Sequence, residues 1–229
     1  MWARPEDRLV HRVEYPVKIM CMGVIGLFTV GEADLDVFRL EGFETRMEAI
    51  RVRVRPKLEE LGAILRHPLS HVVGEEMYPH VAKHMRRKTN PPPETWVAFG
   101  PSPRGYKAMA HLAATVGPEG LGTRLSLTSE SRDKASFAGV LRDDRVALPS
   151  DYRCRHRLKP GGEDTGTLGI AEREALAGEM LLFRDSWVIL ERIIRIGDPV
   201  LSSPDLVNTL LSSLEELAPL YREIRSRAL

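Results

Sequence analysis

Cys21 and Cys154 are the only two thiols in this chain of 229 residues. So few cysteines exclude a disulfide framework and fit a reducing compartment, which leads us to expect a cytoplasmic protein. A strong charge of either sign is also missing. Lys and Arg number 33 against 32 Asp and Glu, for a formal net charge of +1. A globally basic nucleic-acid protein is therefore excluded, and any attraction for polyanions has to come from local clustering. Long apolar runs are absent as well. The longest nearly uncharged stretch, Ile19 to Val30, falls short of the roughly 20 residues that span a bilayer. Glu6, Asp7 and Glu14 lie upstream of it, and no small-residue cleavage pattern follows before Glu32 and Asp34, so it does not read as a signal peptide. It is expected to be a buried strand, with no membrane partner.

Complete catalytic and cofactor motifs are lacking too. The chain has no CxxC, HExxH, GxSxG or Walker lysine motif, and no GxGxxG following a strand. No cofactor is expected. GPEGLG, from Gly117, lies between two strands and reads as a turn. GGEDTGTLG, Gly161 to Gly169, lacks the lysine of a phosphate-cradling loop and reads as a flexible connection. His67, His71 and Glu75 have metal-like spacing, but Pro68 spoils a regular helical face and no metal is expected. Cys154 near His156 reads as a buried thiol rather than a nucleophile.

The organisation that remains is that of an α+β protein. Residues 1–22 share no pattern with the rest and are expected to be an N-terminal extension, with translation starting naturally at Met20 or Met22. Residues 23–229 are expected to form a single domain. Met47, Ile50, Val54, Leu58, Leu61 and Leu65 recur at helical spacing, with a kink or a junction of two helices near Arg55 because Pro56 interrupts the ladder. Strands are expected over Tyr78 to Lys88, Thr95 to Phe99, Met109 to Val116, Leu121 to Thr128, Tyr152 to Lys159 and Trp187 to Ile196. Helices are expected over Lys134 to Leu141, over Ile170 to Leu182, and from Ser203 onward with a bend at Pro219. Many adjacent strands between helices predict a mostly antiparallel sheet flanked by helices. No internal repeat is visible.

The informative stretch is His80 to Lys107, HVAKHMRRKTNPPPETWVAFGPSPRGYK. It holds six Lys or Arg, two histidines, Trp96 and Tyr106, and a single acid, Glu94. The three prolines suit a stiff connection between two strands of a hairpin. A helix gathering His80, Lys83, His84 and Arg87 on one side is the alternative. As a strand, the pleat would send Arg86 and Arg87 to opposite faces unless the strand has already ended or bulged. Lys83, Arg86, Arg87, Arg104 and Lys107 are candidates for binding phosphate or carboxylate oxygens. Trp96 and Tyr106 are candidate stacking surfaces, and Asn90 a candidate orienting amide. His80, His84 and His111 are candidates for acid–base work near neutral pH.

The motifs DLDVFRLEGFETRMEAI, VRPKLEELG, EEMYPHVAKHMRR, NPPPETWVAF and RGYK resemble those of the YktB-like proteins of Firmicutes, an uncharacterised family. The resemblance covers roughly Gly26 to Tyr221 and is weaker through DKASFAGVL, LPSDY and IGDP. The chain departs from the family pattern at Met85, Lys88, Thr89, Pro93 and Glu94. It departs again at Leu112 to Thr115, where the family tends to an aromatic and glutamine-containing strand. The resemblance implies a single-domain α+β fold with an antiparallel sheet and carries no activity with it.

Three functions follow as expectations. The first is binding of a phosphate-bearing partner, a nucleotide-like small molecule or a nucleic-acid backbone, through the basic and aromatic hairpin. The second is an enzyme acting on an anionic metabolite with His80, His84 or His111 as acid or base. The third is a protein-interaction domain that offers Arg153, Arg155, Arg157 and Lys159 to an acidic partner.

Overall fold

The computed structural model describes residues 28–159, 162, 164–166 and 170–228. The chain enters through a short helix α1 (Glu32–Leu35), α2 (Phe43–Ala49) and α3 (Arg55–Val73), followed by strands β1 (Tyr78–Val81), β2 (Thr95–Gly100), β3 (His111–Gly117) and β4 (Gly120–Leu127). Next come α4 (Lys134–Leu141), β5 (Arg153–Arg157), β6 (Asp164–Gly166), α5 (Ile170–Glu179), β7 (Trp187–Arg195) and α6 (Leu206–Ser226). The described strands form one sheet in the order β1-β2-β3-β4-β7-β5-β6, antiparallel at every pair. The fold is therefore α+β in a single domain, with an antiparallel sheet flanked by helices.

Alternation along the strands decides which side the helices cover. Val97 and Phe99 of β2, Leu112, Ala114 and Val116 of β3, and Leu121, Leu125 and Leu127 of β4 enter the core with Leu58, Leu61 and Leu65 of α3 and Leu210, Leu214 and Leu217 of α6. The contact between α3 and the sheet is close: a Cβ at Gly62 would lie 3.0 Å from Pro79 Cβ and 3.1 Å from Val97 Cγ2. The intervening residues point to the other face. That face carries His80, Trp96, Ala98, His111, Ala113, Arg124, Ser126, Glu191, Arg153 and Arg155, and is the polar side of the sheet.

Several boundaries differ from the sequence expectation. The first strand, expected to reach Lys88, ends at Val81. One further ladder bond runs from Ala82 N to the Trp96 carbonyl at 2.9 Å, and His84 then adopts a left-handed backbone with φ of 52°. Asp164–Gly166, inside the glycine-rich stretch read as a loop, pairs with β5. A helix expected to reach Leu182 stops at Glu179. The junction near Arg55 takes the form of a π-helical turn, Ile50–Val54, after which α3 begins with Pro56 in its first turn. A proline there lacks an N–H that the helix start does not require. Pro219 is accommodated within α6, which remains helical from Leu206 to Ser226. Most of the expected Ile19 to Val30 strand, and the extension over 1–22, lie outside the described residues. Phe28 and Val30 are buried but not in a strand.

Candidate ligand-binding groove

The connection from β1 to β2 and the loop from β2 to β3 stand on either side of a groove of about 850 Å³. Its lining includes Lys83, Arg86, Arg87, Arg104 and Lys107, and Glu130 is the one acid among the lining residues. Because β1 has ended at Val81, Arg86 and Arg87 are not divided by the pleat and both reach the groove. Glu130 sits 3.5 Å from Arg86 and 3.8 Å from Lys107, exposed pairs that a ligand anion would displace at small cost. His80, His84, Trp96 and Tyr106 also line the groove.

Two of the expected residues fall elsewhere. Asn90 is not part of the lining; its backbone carbonyl accepts a hydrogen bond from Arg87 Nη1 at 3.2 Å and so braces the guanidinium. His111 lines a second cavity of about 210 Å³ on the same sheet face. Trp96, Tyr106 and Lys107 line both cavities and form the partition between them.

Rings and hydrogen bonds hold that partition in place. Trp96 Nε1 donates to the Tyr106 hydroxyl at 3.0 Å. The Tyr106 ring meets His111 edge-on at 4.7 Å and lies 5.7 Å from His80, and His84 stands edge-on to Trp96 at 5.3 Å. The Arg124 guanidinium lies 4.7 Å from the Trp96 ring centre, so part of the indole surface expected to stack on a ligand is already engaged within the protein. His80 Nε2 donates to the Ser102 carbonyl at 2.8 Å, and His84 Nε2 bonds Thr95 Oγ1 at 2.9 Å.

Burial changes the chemistry expected of two histidines. His84 is pulled down to about 4, first by desolvation and then by the nearby Arg87 and Arg55 charges. His111 is pulled down to about 3 by desolvation, which its hydrogen bond to the Met109 carbonyl only partly offsets. Both are neutral imidazoles at neutral pH, each with one donor and one acceptor nitrogen. Burial also raises the Tyr106 hydroxyl above its ordinary value.

The sequence reading missed an ionic network under the groove. Glu94 accepts from Arg124 Nη1 at 2.7 Å and from Arg155 Nη2 at 3.2 Å, while Glu191 accepts from Arg153 Nη2 at 2.6 Å and from Arg155 Nη2 at 3.1 Å. Only 4% of the Arg124 side chain is exposed. An arginine among the alternating leucines of Leu121 to Thr128 was the available signal, since a buried guanidinium requires acids nearby. The network also bears on the basic face of Arg153, Arg155, Arg157 and Lys159 expected to meet an acidic partner, because part of its charge is met within the protein. Arg153 and Arg155 are committed to Glu191 and Glu94, and the Arg157 guanidinium lies 5.9 Å from the Trp187 ring centre. Cys154 is buried and its thiol is pushed up to about 12 by desolvation and Glu191, which removes it as a nucleophile. Among the described residues no group of three His, Cys, Asp or Glu side chains is placed to hold a metal ion.

Comparison with known proteins adds a family. The model of a family described as a domain of unknown function (DUF1054) matches residues 30–221. A UPF0637 protein of Staphylococcus aureus strain MRSA252 is 41% identical over 137 residues, which is 58% of this chain and 67% of the relative. Its counterpart in strain MW2 is 40% identical over the same shares of the two chains.

Proposed function

This chain belongs to the DUF1054 family, and we propose that it binds a phosphate-bearing ligand, a nucleotide-like molecule or a nucleic-acid backbone, in the groove above β1 and β2. The observation that carries this reading is the gathering of Lys83, Arg86, Arg87, Arg104 and Lys107 around a single acid, in a cavity of about 850 Å³. That volume falls in the range of roughly 300–1,000 Å³ typical of small-molecule sites. With a net charge of only +1, the attraction is local and short-ranged, which favours a compact anion over a long polyanion track. We place this binding in the cytoplasm, in keeping with the two cysteines and with the finding that no described helix is long and apolar enough to cross a membrane.

Calorimetric titration with mononucleotides and a short RNA at several salt concentrations tests the reading. Binding is expected to weaken as salt rises, and Arg86→Ala combined with Arg87→Ala is expected to lower affinity at least tenfold. Absence of binding by every probe, or binding unchanged in the double variant, overturns it.

A second reading, an enzyme acting on an anionic metabolite, is favoured by one observation. His80 and His84 share the groove with Arg86, Arg87 and Arg104. His80, which lines the groove and is held by the Ser102 carbonyl through Nε2, is the histidine assigned to proton transfer in this reading. If turnover of a bound phosphate ester is found, His80→Ala should abolish it while leaving ligand binding in place; undiminished turnover excludes the role.

A further inference from the structure

The basic groove holds more charge than one phosphate needs. Lys83, Arg86 and Arg87 come from the connection between β1 and β2, Arg104 and Lys107 from the loop between β2 and β3, and Glu130 is the one acid lining the groove with them. Five cations against one acid leave an excess of four positive charges. A phosphate monoester carries about −1.5 to −2 at pH 7, so it meets at most half of that excess. Like charges gathered in one groove repel one another, a cost to the ligand-free fold that a second anionic group on the ligand removes.

Glu130 marks the place of one anion. It lies on the segment between β4 and α4, which is tied to the β2–β3 loop: Thr128 Oγ1 donates to the Lys107 carbonyl at 2.7 Å, and Arg132 N to the Ala108 carbonyl at 2.9 Å. From there its carboxylate stands between the two walls, 3.5 Å from Arg86 and 3.8 Å from Lys107. Both distances exceed the roughly 2.7–2.9 Å of a charge-assisted hydrogen bond, so the donors remain open to closer oxygens. The Glu130 side chain is 50% exposed and can turn into solvent without losing packing. Arg87 is braced by the Asn90 carbonyl and, like Lys83 and Arg104, forms no ion pair among the described residues.

We propose that the groove takes a ligand with two neighbouring phosphate groups, one between Arg86 and Lys107 in place of the Glu130 carboxylate and the other among Lys83, Arg87 and Arg104. The inference rests on the phosphate-binding reading above and names its ligand class. Guanidinium groups on both walls suit it, because each can hold two phosphate oxygens at once while the lysines follow as point charges. Glu130 then acts as a place-holder. It neutralises part of the groove when the ligand is absent and has to leave when the first phosphate enters.

Calorimetric titrations in EDTA, where side chains rather than a metal ion must meet the charge, compare ADP with AMP and pyrophosphate with orthophosphate. In the unaltered protein the two-phosphate member of each pair is expected to bind about tenfold or more tightly. Lys83→Ala combined with Arg104→Ala should cost ADP more than AMP and narrow their ratio, whereas Arg86→Ala should weaken both. Glu130→Gln, an exposed change that keeps the shape of the side chain, should tighten all four probes several-fold because the competing charge is gone. Weaker binding in that variant overturns the placement of the first phosphate. A 5′-phosphorylated dinucleotide, whose phosphates are spaced by a sugar, separates two sources of the same chemistry: tighter binding than ADP assigns a nucleic-acid backbone, and equal or weaker binding a diphosphate. If AMP and orthophosphate bind as tightly as ADP, pyrophosphate and the dinucleotide, the two-phosphate ligand is overturned while the phosphate-binding groove stands. If none of the probes binds, both readings are overturned.

Discussion

Glu94 is the single acid of the basic hairpin, and its position explains why it is there. Burial alone would raise its carboxyl, yet Arg124 and Arg155 outweigh burial and hold it below the ordinary 4.5. Replacing it by glutamine leaves the Arg124 guanidinium, 4% exposed, short of its charged partner. Glu94→Gln is therefore expected to lose about 2 kcal/mol in urea unfolding at pH 7. A carboxyl whose folded pKa is depressed stabilises in full above its unfolded value and loses that stabilisation as pH falls through the folded one. The difference between Glu94→Gln and the unaltered protein should thus begin to shrink as pH falls below the ordinary 4.5; a gap that does not narrow at all on further acidification would remove the ion pair as its source. His111 follows the same sign. Desolvation holds it at about 3 in the folded state against an ordinary 6.5, so the unfolded chain binds the proton first. Stability should be full above pH 6.5 and decline between 6.5 and 3, and His111→Gln should flatten that decline by on the order of 3 kcal/mol in a pH series of urea melts.

The strand elements depend on close backbone contacts, and Gly120 shows how close. It opens β4 with φ of 143°, and a Cβ there would lie 2.0 Å from the Ile194 carbonyl oxygen of β7. Gly120→Ala is expected to destabilise by about 3 kcal/mol or more, read as a fall in the urea midpoint; a midpoint within error of the parent would mean that β4 and β7 pair less tightly than the structure has them. Elements with a local pattern were legible in the sequence. The alternation of Leu121 to Thr128 and the apolar content of Trp187 to Ile196 place β4 and β7 within a residue of their observed ends, and the helix Lys134–Leu141 coincides with its expectation. What was not legible depends on partners. β6 lies in a stretch of glycine and polar residues and is a strand only because β5 pairs with it. β1 ends where His84 turns left-handed, a conformation for which a histidine carries no strong local signal. The site divides the same way. Its basic residues stood out by composition, whereas the convergence of Arg86 with Arg87 required the strand to end early. The Glu94–Arg124–Arg155–Glu191 network joins residues up to 61 positions apart, beyond the reach of any periodicity.

At the scale of the molecule, the helical layer and the site-bearing sheet are joined through Asp133. Its Oδ2 accepts from Ala110 N at 2.7 Å, just before β3 delivers His111, and from Arg225 Nη1 of α6 at 3.3 Å. Arg225 Nε also lies 3.5 Å from Glu75, which in turn accepts from the Tyr221 hydroxyl at 2.6 Å. One buried carboxylate thus couples the start of β3, the start of α4 and the end of α6, and through Glu75 the segment that follows α3. Asp133 is 3% exposed, so its loss strands an amide and weakens the hold on a guanidinium without water to replace it. Asp133→Ala is expected to destabilise by about 3 kcal/mol, which for a chain of this size lowers the melting temperature by roughly 6–12 °C. Sheet and helices share one core, so the fall should move a single transition rather than split it. Far-UV circular dichroism reports the helices, and tryptophan fluorescence reports Trp96 and Trp187 on the polar face of the sheet. Coincident curves from the two probes, displaced together in Asp133→Ala, are the expected result. Separation of the curves in the variant would show instead that Asp133 is what makes helices and sheet unfold as one.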